Sequence, residues 1–182
     1  MSNQRKFIKK AFELIKNSFR EFTNENIYLI IRNHKKIKSN EKNIIRLEYI
    51  DKGDHINYFI YMIDDCSQFL DKQSKFYKSL SLESEDILEP LNIITKNDIL
   101  IKEKVIIIMF LLHEFGHISH VKKFMNFSIF NNLRSINDQA LYLFMNTSKD
   151  ENINIGKQFL FGEHYAEMFK FKHFYKIWKQ LQ

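Results

Sequence analysis

The sequence predicts a mostly helical fold that includes one β-hairpin. Two observations predict the helices: apolar residues recur every three or four positions in residues 4–22, and an unbroken apolar run extends from Val105 to Leu112. A third predicts the hairpin, because apolar and polar side chains alternate on both sides of Gly53. With 182 residues, 45% of them apolar, the chain can bury a core and is too apolar to be disordered. We therefore expect one domain over residues 1–182.

The N-terminal part of the chain is expected to be helical. An amphipathic helix over residues 4–22 would place its apolar side chains on one face, namely Ile8, Phe12, Ile15, Phe19 and Phe22. A second apolar stretch, Ile27 to Ile31, follows and ends in a basic cluster near residue 36. We expect residues 1–40 to form this helical part.

The period of the apolar residues changes after Asn43, from three or four to two. Ile45, Leu47 and Tyr49 alternate with polar neighbours, and a second strand-like run extends from Ile56 to Ile63. The segment Asp51-Lys52-Gly53-Asp54 separates the two runs, and its glycine suits a tight turn. The pattern therefore predicts an antiparallel hairpin.

Helical patterns dominate the second half of the chain. Thr95 and Asp98 form a capping-box-like start for the helix with the apolar run. A last helix, rich in Phe, is predicted from about Lys157 to Leu181. The remaining patterns favour a loop or short helix at residues 79–90, a helix at residues 133–145 and an exposed loop at residues 147–154.

Composition excludes several classes of protein. The single cysteine, Cys66, rules out a disulfide framework and a cysteine-based zinc finger. The longest apolar run has eight residues, against about 20 for a membrane span, and the first residues lack the apolar stretch of a secretory signal. The net charge of +6 is spread along the chain rather than gathered in a patch, so we expect no nucleic-acid partner. These features predict a soluble cytoplasmic protein with no membrane span.

The apolar run leads directly into His113-Glu114-Phe115-Gly116-His117. Residues four apart on a helix face the same way, so both imidazoles can bind one Zn²⁺. Glu114 lies beside them, badly placed as a third ligand but well placed to reach a water molecule at the metal. The H-E-x-x-H spacing thus supplies two ligands and a general base.

A catalytic zinc ion usually takes three protein ligands, so the third should come from elsewhere in the chain. Lys123 occupies the position at which one class of zinc peptidase has a further histidine. The best candidate is Glu163, and Glu167 lies on the same helical face, where it could orient a ligand histidine by accepting its other N–H. The small residues Gly116 and Ala166 would let the two helices approach closely.

The segments His113–His117 and Glu163–Glu167 together resemble the paired motifs of the gluzincin zinc metallopeptidases. The second motif of these enzymes is typically Glu-x-x-x-Asp or Glu-x-x-Ala-Asp/Asn. Both segments are similar to those of the small prokaryotic peptidases of the ImmA/IrrE type and of the Lit phage-exclusion type. Glu163, Ala166 and Phe169 match the ImmA/IrrE pattern, and Glu167 stands where Asp or Asn is usual.

This resemblance implies an α+β, mostly helical zincin-like domain, with a small antiparallel sheet packed on the two zinc-ligand helices. It also implies an edge strand, which we assign to Ile56–Ile63, that pairs with an extended peptide substrate. The implied activity is a zinc-dependent endopeptidase with one Zn²⁺ and Glu114 as general base, acting on a specific intracellular protein. The oxyanion donor is left open among His164, Tyr165, His173 and Tyr142.

Two other classes of function remain open. A non-catalytic zinc-bound sensor or interaction module would need His113, His117 and Glu163 but not Glu114. A basic nucleic-acid-binding protein would need a groove-reading helix or an aromatic and basic platform, which the sequence does not reveal. The need for an activating protein partner is also open. We expect Cys66, His34, His55 and His173 to be core or surface residues rather than ligands.

Overall fold

The structure is a computed structural model that describes residues 3–36, 45–67, 99–124 and 150–182; for residues 36, 124 and 150–161 it describes the backbone alone. These residues form three helices and a three-stranded sheet, consistent with the predicted α+β class. The order of elements is α1 (Asn3–Ser18), β1 (Asn26–Arg32), a 3₁₀ turn (His34–Lys36), β2 (Arg46–Asp51), β3 (Ile56–Ile63), α2 (Ile99–Phe124) and α3 (Asp150–Leu181).

Helix α1 buries one face, as its sequence predicts. Ile8, Ala11, Phe12 and Ile15 are buried at spacings of three and four. The helix ends at Ser18 rather than at residue 22, because the chain then turns, with Phe22 N–H donating to the carbonyl of Phe19. Phe22 is nevertheless fully buried, since its ring packs against Phe115.

The prediction of a helical part over residues 1–40 is wrong for Asn26–Arg32. Residues Asn26–Arg32 form β1 and pair in parallel with β3, with Ile27 opposite Tyr58. The segment is short and rich in isoleucine, a β-branched residue that suits a pleated surface better than a helix. Its partner is about 30 residues away in sequence, so the local pattern alone gave no indication of the pairing.

The predicted hairpin is confirmed. β2 and β3 pair antiparallel, with Leu47 opposite Ile60, and Gly53 turns the chain with a φ of 88°. Because β1 joins β3 in parallel on its other side, the sheet is mixed, with strand order β1-β3-β2, and not antiparallel as predicted. The assignment of Ile56–Ile63 as an edge strand is therefore also wrong: β3 is central, and its backbone hydrogen-bonding groups pair with β1 and β2.

Helix α2 lies at the centre of the fold. The side chains from Val105 to Met109 are no more than 1% exposed, although they point to all sides of the helix. Such a helix must be covered all round, and α1, α3, β2 and β3 all contact α2. The predicted packing of the sheet on the ligand helices is thus observed for α2.

Several predictions concern the chain beyond α2. Helix α3 begins at Asp150, so the loop predicted over residues 147–154 is replaced by helix from that residue onward. The segments at residues 79–90 and 133–145, together with Thr95 and Asp98, lie outside the described residues. Within the ranges that the structure describes, each helix is too short or too polar to cross a membrane.

The only cysteine of the chain gives a direct test of the core. Cys66 is 0% exposed, and burial, helped by nearby acidic groups such as Asp65, raises its pKa to about 12. Because the thiolate is the reactive form, we expect the native protein to resist alkylation by iodoacetamide at neutral pH and the urea-unfolded protein to react fully. Mass spectrometry measures both states. Rapid labelling of the native protein would contradict this packing.

Candidate metal centre

Helices α2 and α3 pack antiparallel at very close range. Gly116 of α2 lies against Ala166 of α3, and His120, one turn later on α2, lies against Gly162, one turn earlier on α3. A Cβ atom added to Gly116 would be 2.7 Å from the Cα of Ala166 and 3.0 Å from its carbonyl oxygen. The absence of a side chain at Gly116 therefore sets the distance between the helices, as the small residues of the two motifs predict.

This packing brings His113 and His117 of α2 together with Glu163 of α3. The Nε2 atoms of the two histidines are 3.0 Å apart. The Glu163 carboxylate lies 3.5 Å from Nε2 of His113 through Oε2 and 3.4 Å from Nε2 of His117 through Oε1. Ligands held tetrahedrally about 2 Å from one zinc ion are roughly 3.3 Å from one another. The three residues could therefore hold one metal ion.

Exposure differs across this cluster. The side chain of His117 is 4% exposed, whereas that of Glu163 is 34% exposed. The cluster thus has one face buried against the core and one that solvent reaches. A site with this asymmetry can hold a metal ion and leave a coordination position accessible, as catalytic zinc sites do.

Glu114 is buried beside the cluster, with only 5% of its surface exposed. Its Oε2 atom has no hydrogen-bond partner among the described residues. Burial raises the pKa of Glu114 to about 7; the His113 charge opposes this shift and the Glu163 charge adds to it. A buried carboxyl group without a partner is costly, so its position calls for an explanation other than packing.

Glu167 lies one helical turn after Glu163 and contacts the other nitrogen of His113. Its Oε1 atom is 2.7 Å from Nδ1 of His113, so Nε2 of that ring faces His117 and Glu163. The contact is an ion pair by distance and not an aligned hydrogen bond, since Nδ1 has no hydrogen-bond partner among the described residues. A carboxylate at this position is placed to orient a ligand histidine.

The two histidines differ in their electrostatic surroundings. Burial and the nearby charge of His113 hold the pKa of His117 well below its usual range, so this ring is neutral. Burial also disfavours the charged form of His113, but Glu167, Glu114 and Glu163 outweigh it and raise the pKa of that ring. A cation at the cluster would compete with the proton that these carboxylates favour on His113.

The candidate oxyanion donors make other contacts, are exposed or lie outside the described residues. The hydroxyl group of Tyr165 contacts Ser119 Oγ at 3.1 Å and Lys123 Nζ at 2.9 Å, and His164 is exposed. The ring of His173 packs against Phe19 and Phe169. Tyr142 lies outside the described residues.

The other residues expected not to be ligands are engaged away from the cluster. His34 lies 2.8 Å from Asp64, and His55 lies 2.6 Å from Asp54. Sequence reasoning missed one residue near the cluster, Lys170, which is 3% exposed and donates to Glu167. Its position three residues after Glu167 on a helix was the available signal.

The fold and the cluster together define a class of site: two histidines and a glutamate on two antiparallel helices, next to a buried carboxyl group. Comparison with protein-family models, with curated proteins and with solved structures gives no match.

The contact at Gly116 leads to a stability prediction. Gly116→Ala should destabilise the protein, because the added Cβ meets backbone atoms of α3 that can move only with the helix. Overpacking costs about 1–3 kcal/mol, more than the ~1 kcal/mol that alanine gains over glycine in a helix. Thermal and urea unfolding measure the net loss, and zinc affinity should fall as Glu163 moves away from the histidines.

Gly162→Ala is the matched control for this change. Its Cβ would meet the ring of His120 at 3.1 Å, a side chain that can shift, so a smaller loss of stability is expected. A Gly116→Ala protein at least as stable as the wild type would show that the helices do not need this close approach.

Proposed function

We propose that this protein is a zinc-dependent endopeptidase of the gluzincin type. The observation that carries the proposal is the convergence of His113, His117 and Glu163 at distances that suit one zinc ion. The resemblance of both motifs to the ImmA/IrrE and Lit types adds the class of reaction. The proposed substrate is a specific protein, with hydrolysis at a peptide bond.

A bound zinc ion supplies a Lewis acid that polarises the scissile carbonyl group and lowers the pKa of a water molecule. The chain supplies the proton transfer. Glu114 accepts a proton from the attacking water at Oε2, which has no partner within the described part of the chain, and delivers it to the leaving amine. A pKa of about 7 suits both steps, because the carboxyl group can then accept and release a proton near neutral pH.

The remaining residues of the cluster bind and orient. His117 holds its ring rigidly because it is buried, and Glu167 fixes His113 through Nδ1. The partly exposed Glu163 lies on the side that a substrate can approach. The hydrophobic surroundings of α2 keep bulk water from Glu114, which strengthens the electrostatic interactions at the site.

A non-catalytic zinc module is the second candidate, and Glu114 argues against it. A metal site that only stabilises the fold gains nothing from a buried carboxyl group whose Oε2 atom has no hydrogen-bond partner in the ranges that the structure describes. General-base catalysis would account for a buried carboxyl group at Glu114. We extend the proposal to a cytoplasmic location, since the one cysteine is a buried free thiol.

Metal analysis of the purified protein tests the binding part of this proposal. Elemental mass spectrometry should give one zinc ion per chain after dialysis, and a chelator such as 1,10-phenanthroline should remove it and abolish cleavage. The catalytic part is tested by comparing new N-termini in cell lysates treated with the wild type and with a Glu114 variant. A purified protein without zinc would reject the binding part. Identical N-termini in the two lysates would reject the catalytic part.

A further inference from the structure

Lys170 is a buried cation close to the metal cluster. It lies on α3, one turn after Glu167, and is only 3% exposed. Burying an ammonium group is costly unless an anion compensates it. Its Nζ atom donates to Oε2 of Glu167, which supplies that anion.

The two oxygens of Glu167 are therefore divided between two partners. Oε1 lies against Nδ1 of His113, and Oε2 accepts from Lys170. The contacts form a continuous chain from Lys170 through Glu167 to His113 and the ligand cluster.

A glutamate needs such a second contact to orient a histidine well. Its side chain has three rotatable bonds, so the contact with His113 alone would leave the carboxylate free to turn. It could then swing toward the cluster, where Glu163 already supplies a carboxylate. An ammonium group fixed on the same helix removes that freedom.

We propose that Lys170 is a positioning residue, which holds Glu167 against Nδ1 of His113 and so keeps Nε2 of His113 available to the metal ion. The inference rests on the proposed zinc site and deepens it, because Lys170 contacts Glu167, the residue next to ligand His113. The ion pair with Glu167 is the contact that links it to His113. Burial raises the pKa of the nearby Glu163, and the charge of Lys170 also acts there by opposing that rise.

Zinc affinity measured by competition with a chromophoric chelator tests this role. Lys170→Met removes the charge and keeps the length of the side chain, and it should weaken zinc binding about tenfold or more, as loss of an outer-shell partner typically does. Lys170→Arg keeps a cationic donor and should retain most of the affinity. Unchanged affinity in Lys170→Met, or an equal loss in Lys170→Arg, would overturn the proposal.

A double-mutant cycle shows whether Lys170 acts through Glu167. Glu167→Gln alone should weaken zinc binding, and adding Lys170→Met to it should have almost no further effect, because the pair acts as one unit. In the Glu167→Gln background the Lys170–Glu167 ion pair is already absent, so any loss that Lys170→Met causes there measures an effect by another route. Equal losses from Lys170→Met in both backgrounds would reject the proposed route.

A second readout does not depend on zinc. In the chelator-treated wild type at alkaline pH, the ¹⁵N shifts of the neutral His113 ring should report a proton on Nδ1, because the Glu167 carboxylate lies against that nitrogen. Lys170→Met should shift the ring toward the Nε2-protonated tautomer. A wild type that binds no zinc would reject the proposed function, whereas an unchanged tautomer would reject the role of Lys170.

Discussion

Glu114→Gln is expected to leave zinc binding and folding intact and to reduce cleavage by about 10²–10⁴-fold, the usual contribution of general acid–base catalysis. Glutamine keeps the size and shape of the side chain but cannot accept the proton. Its neutral amide is also cheaper to bury than a carboxylate at a position that is 5% exposed. The melting temperature should therefore stay near the wild-type value.

Three measurements on the same preparation check this expectation: zinc content, thermal unfolding and the appearance of new N-termini in treated lysates. Glu103→Gln is a matched control, since it makes the same chemical change on the same helix, eleven residues before Glu114. It should cleave like the wild type. Loss of zinc from Glu114→Gln would mean that Glu114 has a structural role. Wild-type cleavage would mean that another group is the base.

His117→Ala is expected to abolish zinc binding and to lower thermal stability. His117 is 3% exposed, and its Nε2 atom lies close to both other members of the cluster. Removing it leaves two ligands, too few for a stable site. The native state also loses the stabilisation that a bound metal provides, which is about 2.7 kcal/mol when free zinc is at 100 times its Kd.

Unfolding with and without a chelator separates the loss of metal from the loss of packing. The chelator should lower the melting temperature of the wild type and leave that of His117→Ala unchanged. His173→Ala is the control. His173 lies on the same helix as Glu163, and its ring packs against Phe19 and Phe169. Its removal should therefore weaken packing without loss of zinc. Full zinc occupancy in His117→Ala would refute the ligand assignment.

The helical parts of the site could be predicted from the sequence because their signals are local. The four-residue spacing of His113 and His117 puts both rings on one face of any helix that contains them. The same spacing relates Glu163 to Glu167. The buried face of α1 and the β2–β3 hairpin with its turn at Gly53 also depend on short-range patterns, and the structure agrees with them.

The errors lie where distant parts of the chain meet. The sequence of β1 is an apolar stretch in which apolar and polar residues do not alternate, and only its pairing with β3 makes it a strand. That pairing also makes the sheet mixed and moves β3 from the edge to the centre. A parallel pair requires a long connection, and no local pattern specifies which two segments the connection brings together.

The sequence by itself determined which side chains could share a metal ion, since helical periodicity fixes the direction of residues four apart. Only the tertiary structure decided that the two pairs face each other. The close approach of Gly116 to Ala166 sets the antiparallel register in which Glu163 meets both Nε2 atoms. The same register places Glu167 against His113, while Lys170 is buried beside Glu167. These contacts depend on the packing distance between α2 and α3, a property of two surfaces that neither helix carries in its own sequence.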